Sequence, residues 1–172
     1  TRVGVACLEA FLRFHTMVGS GYGVLRLVAD DASPTGWRAW TLLTALDQIK
    51  GHEEALGNKR PTGQSNSRDF RGPNWLDKRK LAQTYADRDP IVLIVGGGQA
   101  GLAAAARFRH LGVDALIIDK HARIGDNWRT RYHALTLHNQ VQVNHLPYMP
   151  FPPGWPSYIP KDKLANWFEA YV

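Results

Sequence analysis

The second half of the sequence predicts an α/β fold in which a helix connects two parallel strands. An apolar run at 91–95 leads into the glycine pattern at 96–101, and an alanine-rich stretch follows. A second predicted strand covers 113–118 and is followed at once by an acid, Asp119. A strand, G-x-G-x-x-G, a helix and a second strand ending in an acid form the pattern of a dinucleotide site. These observations predict the start of a Rossmann-like βαβ domain over 90–172.

Three antiparallel strands are predicted before this region. They cover residues 8–16, 22–30 and 37–47. These stretches are rich in aromatic and aliphatic residues, which suit a pleated sheet. We expect Trp37 and Trp40 to be packing residues, because large aromatics dominate small cores. The sequence therefore predicts an antiparallel β-meander over 1–56.

A basic stretch at 57–89 connects the two regions. It holds eight basic and four acidic residues, so it contributes most of the net charge of +6. Turn-forming residues dominate 61–67, and 74–85 predicts a short amphipathic helix with Asn74 as its N-cap. Because the charge lies in a connecting stretch and matches no recognition motif, we interpret it as a solvated linker. A nucleic-acid surface is the less favoured alternative.

Each residue of the glycine pattern has a predicted role. Gly96 permits a tight turn, Gly98 lets the backbone approach a pyrophosphate, and Gly101 allows close packing of helix on strand. Gln99 and Ala100 open the helix, whose N-terminus offers unpaired N–H groups and a positive dipole to phosphate. We therefore predict that these residues hold a dinucleotide.

Asp119 is expected to accept hydrogen bonds from a ribose. An ordinary glycine-rich loop is the alternative, and it is disfavoured because all five parts of the pattern occur in order. The pattern alone does not distinguish FAD from NAD(P).

The composition argues against several other classes of protein. No apolar run approaches the ~18 residues of a membrane span. Cys7 is the only cysteine, so no internal disulfide can form, which suits a cytoplasmic location. The stretch 52–54 lacks the second histidine of a zincin, and His133, His138 and His145 match no compact ligand pair. We expect no metal site.

The residues after Asp119 resemble flavin-containing monooxygenases and the plant indole-3-pyruvate (YUCCA-type) monooxygenases. The segments that carry the resemblance are GDNWR at 125–129, RYHALTLH at 131–138, LPYMPFP at 146–152, WP at 155–156 and PKDKL at 160–164. It covers about 91–172. Residues 37–46 and 50–54 show a weaker resemblance to the tail of an NTF2-like cone-shaped α+β domain.

The resemblance implies FAD as the cofactor. From the pyrophosphate to the flavin end, the residues implied to bind it are Gly96, Gly98, Gln99, Ala100, Gly101, Asp119, Lys120, Asn127, Trp128, Leu137 and His138. Asp119 stands where the family usually has a glutamate. This shorter carboxylate can still accept two hydroxyl hydrogen bonds.

The resemblance also implies an NADPH-dependent monooxygenase that acts on a small organic substrate with molecular oxygen. In such enzymes NADPH reduces FAD, and the reduced flavin captures oxygen as a C4a-(hydro)peroxide. The flavin supplies the chemistry, so we assign no catalytic residue. The family's second G-x-G-x-x-G and its F-x-G-x-x-x-H signature are not in the sequence. We therefore expect these 172 residues to be an N-terminal part that lacks the NADPH site and is inactive alone.

Two alternatives remain open from the sequence. One is a reductase or dehydrogenase that uses FAD or NAD(P) without inserting oxygen. The other is a non-catalytic module, in which the β-meander binds a ligand or partner and the nucleotide site is vestigial.

Overall fold

The chain forms two units, Thr1–Glu54 and Ala55–Val172. The computed structural model describes residues 1–60 and 69–172, so the predicted turn-rich segment at 61–67 lies outside the described residues. The boundaries expected from the sequence, 1–56, 57–89 and 90–172, stay a prediction.

The first unit is a three-stranded antiparallel sheet. Its strands are β1 (Leu8–His15), β2 (Gly19–Ala29) and β3 (Trp37–Ile49). They pair in the order β1-β2-β3, as expected of a meander. Register shifts after Ser20 and Arg26 interrupt the pairing of β2 with β3. The predicted antiparallel sheet is confirmed.

The packing role expected for Trp37 and Trp40 is wrong within this unit. Their exposed fractions are 43% and 42%, and β3 is exposed along nearly its whole length. The reason is that the described secondary structure of this unit is the sheet alone. No second layer of the unit covers these rings.

The second unit contains the predicted βαβ arrangement. Its elements are α1 (Trp75–Gln83), β4 (Val92–Val95), α2 (Gln99–His110), β5 (Ala115–Ile118), α3 (Asp126–Arg129) and α4 (Lys161–Tyr171). Strands β4 and β5 are parallel, with Val92 opposite Ala115 and Val95 opposite Ile118. The α/β fold with a parallel pair is confirmed. Because α2 connects the two strands, its N-terminus lies at their carboxyl ends.

The connecting stretch contains the expected short helix. Asn74 and Asp77 form a capping box, in which each side chain accepts the other's backbone N–H at 3.0 Å. After α1, the Tyr85 hydroxyl donates to Asp114 at 2.8 Å, and Arg88 Nε donates to the same carboxylate at 3.2 Å. These two bonds tie the end of the connecting stretch to the residue just before β5.

The core of the second unit lies between α2, α4 and the proline-rich segment at 146–160. The buried apolar side chains that form it are Leu102, Leu146, Phe151, Ile159, Leu164 and Phe168. Backbone bonds from Leu137 to Ile159 (2.9 Å) and from Lys161 to Leu135 (3.1 Å) hold two extended stretches side by side. The core therefore depends mainly on residues after β5.

Helices α3 and α4 touch at a glycine. Gly125 has φ +90°, and a Cβ there would lie 2.9 Å from Ala165 Cα. Arg129 completes the contact, because its guanidinium bonds Asp126 at 2.9 Å and Asn166 at 3.0 Å. Only glycine satisfies both the positive φ and the close approach.

We predict that Gly125→Ala destabilises the protein by about 2–4 kcal/mol, from backbone strain and collision with α4. Chemical denaturation measures the change. Gly154→Ala is the matched control, because Gly154 has no neighbouring atom within 4 Å of a new Cβ. Equal stabilities of the two variants would contradict the predicted collision.

Candidate dinucleotide-binding site

The glycine turn follows the carboxyl end of β4 and is hydrogen-bonded to the carboxyl end of β5. Gly96 has φ +113°, and its N–H donates to the Ile118 carbonyl at 2.7 Å. A Cβ on Gly101 would collide with the Gly96 carbonyl oxygen, so α2 packs directly on the turn. Both glycines thus have the geometry expected from the sequence.

The N-terminus of α2 is open to a ligand. Its N-cap is Gly98, which has no side chain that could accept a hydrogen bond from the N–H groups of the first turn. The first N–H groups of a helix have no partner within it, so they are available to an anion. A Cβ on Gly98 would lie 3.3 Å from Asn127 Nδ2, which leaves little room for a larger residue.

Asp119 lies beside the turn as an ionised acceptor. Its Oδ2 accepts the Gly97 N–H at 2.6 Å. Its Oδ1 accepts the His121 N–H and contacts His121 Nδ1, both at 2.7 Å. Hydrogen bonds from the backbone N–H groups of His121 and Gly97, then from the His121 ring, lower the pKa of Asp119 to about 2. The carboxylate is therefore charged at neutral pH.

Helix α3 brings unpaired polar atoms to the same region. Among the described residues, three buried side-chain atoms have no hydrogen-bond partner: Asn127 Oδ1, Trp128 Nε1 and Trp167 Nε1. Two of the three belong to α3, and Asn127 is the residue against Gly98. Buried polar atoms are nearly always paired, so Asn127 Oδ1 and Trp128 Nε1 are groups whose hydrogen bonds a bound ligand can supply.

A cavity of about 200 Å³ adjoins the first residue of α2. Its lining residues are Gln99, Trp128, Leu137, His138, Asn139, Asn144, Leu146, Leu164 and Phe168. Apolar side chains from the core form one part of the lining, and amide side chains form another. Such a mixture of apolar wall and a few polar groups is typical of small-molecule sites.

The structure brings ten of the eleven predicted residues to two adjoining places. The glycine turn, Asp119 and Asn127 surround the helix N-terminus, while Gln99, Trp128, Leu137 and His138 line the cavity. Lys120 is exposed and belongs to neither set. Their binding roles stay predictions.

Sequence reasoning missed several residues of this region. Gly97 and His121 bind Asp119, and only their nearness to the glycine pattern and to the acid could have indicated them. Asn144, Leu164 and Phe168 line the cavity without any signal in the sequence. Their positions follow from tertiary packing.

Neither a metal-binding cluster nor a membrane-spanning helix is found in the described part of the chain. No three histidine, cysteine or acidic side chains group as metal ligands there. Nor is any described helix long and apolar enough to cross a membrane.

Comparison with known proteins agrees with this geometry. The profile of the NAD(P)-binding Rossmann-like domain family matches residues 94–154. This part of the chain has a Rossmann-like α/β fold. The matched residues run from Ile94 in β4 through the glycine turn, Asp119 and α3. Of the residues that line the cavity, Leu164 and Phe168 lie beyond the match.

The chain is similar to a monooxygenase and to another oxidoreductase. Indole-3-pyruvate monooxygenase YUCCA1 of Oryza sativa subsp. japonica is 40% identical over 98 residues, which are 56% of this chain and 24% of the relative. An uncharacterized CzcO-like oxidoreductase of Geobacillus kaustophilus is 37% identical over 84 residues, 47% of this chain and 23% of the relative. The expected resemblance to YUCCA-type flavin monooxygenases is confirmed.

A solved flavin-containing monooxygenase from Stenotrophomonas maltophilia aligns with 46% of this chain and 24% of its own, at a TM-score of 0.43 and 29% identity. The chain thus spans about a quarter of the length of each of these relatives.

The low pKa of Asp119 predicts a pH dependence of stability. A carboxylate whose pKa falls from 3.8 to about 2 on folding stabilises the fold above about pH 4, and this contribution is lost as the pH falls through 2. Asp119→Asn should therefore differ most from the parent protein near neutral pH, with a difference that shrinks in acid. Unfolding free energies from pH 2 to 7 measure it.

Asp89→Asn removes an exposed acid outside the turn and controls for the loss of one negative charge. A difference for Asp119→Asn that is constant across the pH range would contradict the prediction.

Proposed function

We propose that the protein containing this chain is an FAD-dependent, NADPH-consuming monooxygenase that inserts one oxygen atom of O₂ into a small organic substrate. The observation that carries the proposal is the ionised Asp119 beside an open glycine turn and helix N-terminus. This pairing suits a ribose and a pyrophosphate, the two groups that every dinucleotide presents. The similarity to flavin monooxygenases supports FAD as that dinucleotide.

The residues present fit such a cofactor. Gly98 leaves space where a side chain would meet Asn127, so a phosphate can approach the backbone. The orphaned Asn127 Oδ1 and Trp128 Nε1 offer an acceptor and a donor. A polyhydroxylated chain or a heteroaromatic ring could pair both atoms.

We assign the binding roles along the cofactor as follows. Gly96, Gly98, Gln99, Ala100 and Gly101 would hold the pyrophosphate, with Asp119 and Lys120 at the adenosine and Asn127, Trp128, Leu137 and His138 toward the flavin. The cavity beside the helix N-terminus supports the last part, since Trp128, Leu137 and His138 line it.

Bound FAD would supply the redox chemistry and the activation of oxygen. The chain's own residues would bind and orient it and exclude water. Leu146, Leu164 and Phe168 serve the last task, because their buried side chains make the inner cavity wall apolar. Water exclusion protects reactive states from side reactions. An NADPH site and a cytoplasmic location are further parts of the proposal. The family resemblance supports the first, and the single cysteine, Cys7, suits the second.

We predict that the full-length protein purifies yellow, releases FAD on denaturation, and consumes oxygen when NADPH is supplied. Gly98→Val should abolish bound flavin, because the new side chain would fill the space beside Asn127. Absorbance of the folded protein measures this. Gly154→Val controls for an added side chain, since no atom lies near that position.

A colourless protein that binds NADPH alone would defeat the FAD assignment. A yellow protein that passes electrons to a dye but takes up no oxygen would instead favour a reductase.

We also predict that Asp119→Ala weakens the binding of FAD by about 1–3 kcal/mol, because the charge-assisted hydrogen bonds to the ribose are lost. Fluorescence titration of the flavin-stripped protein measures the dissociation constant. Asp89→Ala is the matched control. An unchanged constant for Asp119→Ala would show that this carboxylate does not face the ribose.

A further inference from the structure

The Asp119 carboxylate already receives three N–H groups. Gly97 N–H occupies Oδ2, while the backbone N–H and the ring Nδ1 of His121 both lie on Oδ1. Because an ionised carboxylate only accepts, the ring nitrogen facing it must carry the hydrogen. The two donors of His121 thus fill Oδ1, while Oδ2 has one.

The number of acceptor positions limits what else can bind. Two carboxylate oxygens offer about four lone-pair positions in all. With three in use, one remains, on Oδ2. A ribose that donates from both its 2′- and 3′-hydroxyl groups needs one position on each oxygen. The ring of His121 therefore lies where one ribose hydroxyl would bind.

We propose that the His121 ring is a competitor of the adenosine ribose, displaced from Asp119 Oδ1 when the cofactor binds. This inference rests on the proposed function, in which Asp119 is the ribose acceptor. His121 thereby limits the affinity of the protein for the adenosine half of the cofactor. Once the ring has left, each oxygen keeps one backbone N–H and has one position open for a hydroxyl.

The surroundings of the ring allow this displacement. The side chains of His121 and Asp119 are 25% and 20% exposed, so the ring can move toward solvent without opening the core. The backbone bonds from Gly97 and His121 hold the carboxylate in place when the ring leaves. Of the nearby cations, Arg123 is bound to Glu169 at 2.8 Å and Lys120 is exposed.

The test compares the adenosine and flavin halves of the cofactor separately. In the flavin-stripped full-length protein, His121→Ala should bind FAD and ADP about three- to tenfold more tightly than the parent, which is the effect of one competing hydrogen bond. FMN has no adenosine, so its affinity should not change. A ring with a merely structural role would change FMN and ADP alike.

Deoxy analogues of ADP test the contribution of each ribose hydroxyl separately. In the parent protein, the hydroxyl that faces Oδ1 only replaces the histidine bond, so removing it should cost little. In His121→Ala the same hydroxyl meets an open position, so either 2′-deoxy- or 3′-deoxy-ADP should show a larger loss relative to ADP. Equal losses in the two proteins would overturn the proposal.

Two controls separate the remaining outcomes. His133→Ala removes an exposed histidine outside the site and should leave ADP and FMN affinities unchanged. His121→Ala binding ADP more weakly would mean that the ring supports Asp119, and the competition would be overturned. If Asp119→Ala binds FAD and ADP like the parent, this inference fails while the proposed FAD binding stands. If the full-length protein binds no FAD, both this inference and the proposed function are overturned.

Discussion

The site depends on the junction between the glycine turn and the end of β5. Two backbone N–H groups of the turn reach across to it, Gly96 to the Ile118 carbonyl and Gly97 to the Asp119 carboxylate. These bonds fix the turn, and the turn fixes where α2 begins, because Gly101 lies against Gly96. The direction of the helix N-terminus, and hence of its unpaired N–H groups, follows from this junction.

A second constraint, the contact between α3 and α4, places the cavity. Gly125 packs on Ala165, and the Arg129 guanidinium binds both helices. This contact keeps Trp128 beside Leu164 and Phe168, which line the cavity together. Because Asn127 lies on α3 too, the same contact sets its distance from Gly98. The position of Asn127 beside the glycine turn and the shape of the apolar cavity therefore both depend on the contact between α3 and α4.

The parts of this fold that the sequence predicts are those with local causes. The βαβ unit, the cap at Asn74 and the turn at Gly96 each follow from propensity or backbone freedom within a few residues. The cavity has no such cause, since Asn144 and Phe168 come from far along the chain and meet through core packing. The error at Trp37 has a similar origin. Composition indicates that a tryptophan packs but not which layer covers it, and no described layer of that unit does.

The charge of Asp119 also bears on which dinucleotide this site can take. If the carboxylate faces the ribose, as proposed, it accepts from unsubstituted hydroxyls, which FAD and NAD both present. A 2′-phosphate would bring a second anion against a group whose pKa is about 2 and which is therefore ionised at neutral pH. NADPH is thus disfavoured at this site by like-charge repulsion. If the enzyme uses both FAD and NADPH, as proposed, the two must then bind at different places, and the glycine turn of this chain suits the flavin cofactor better than NADPH.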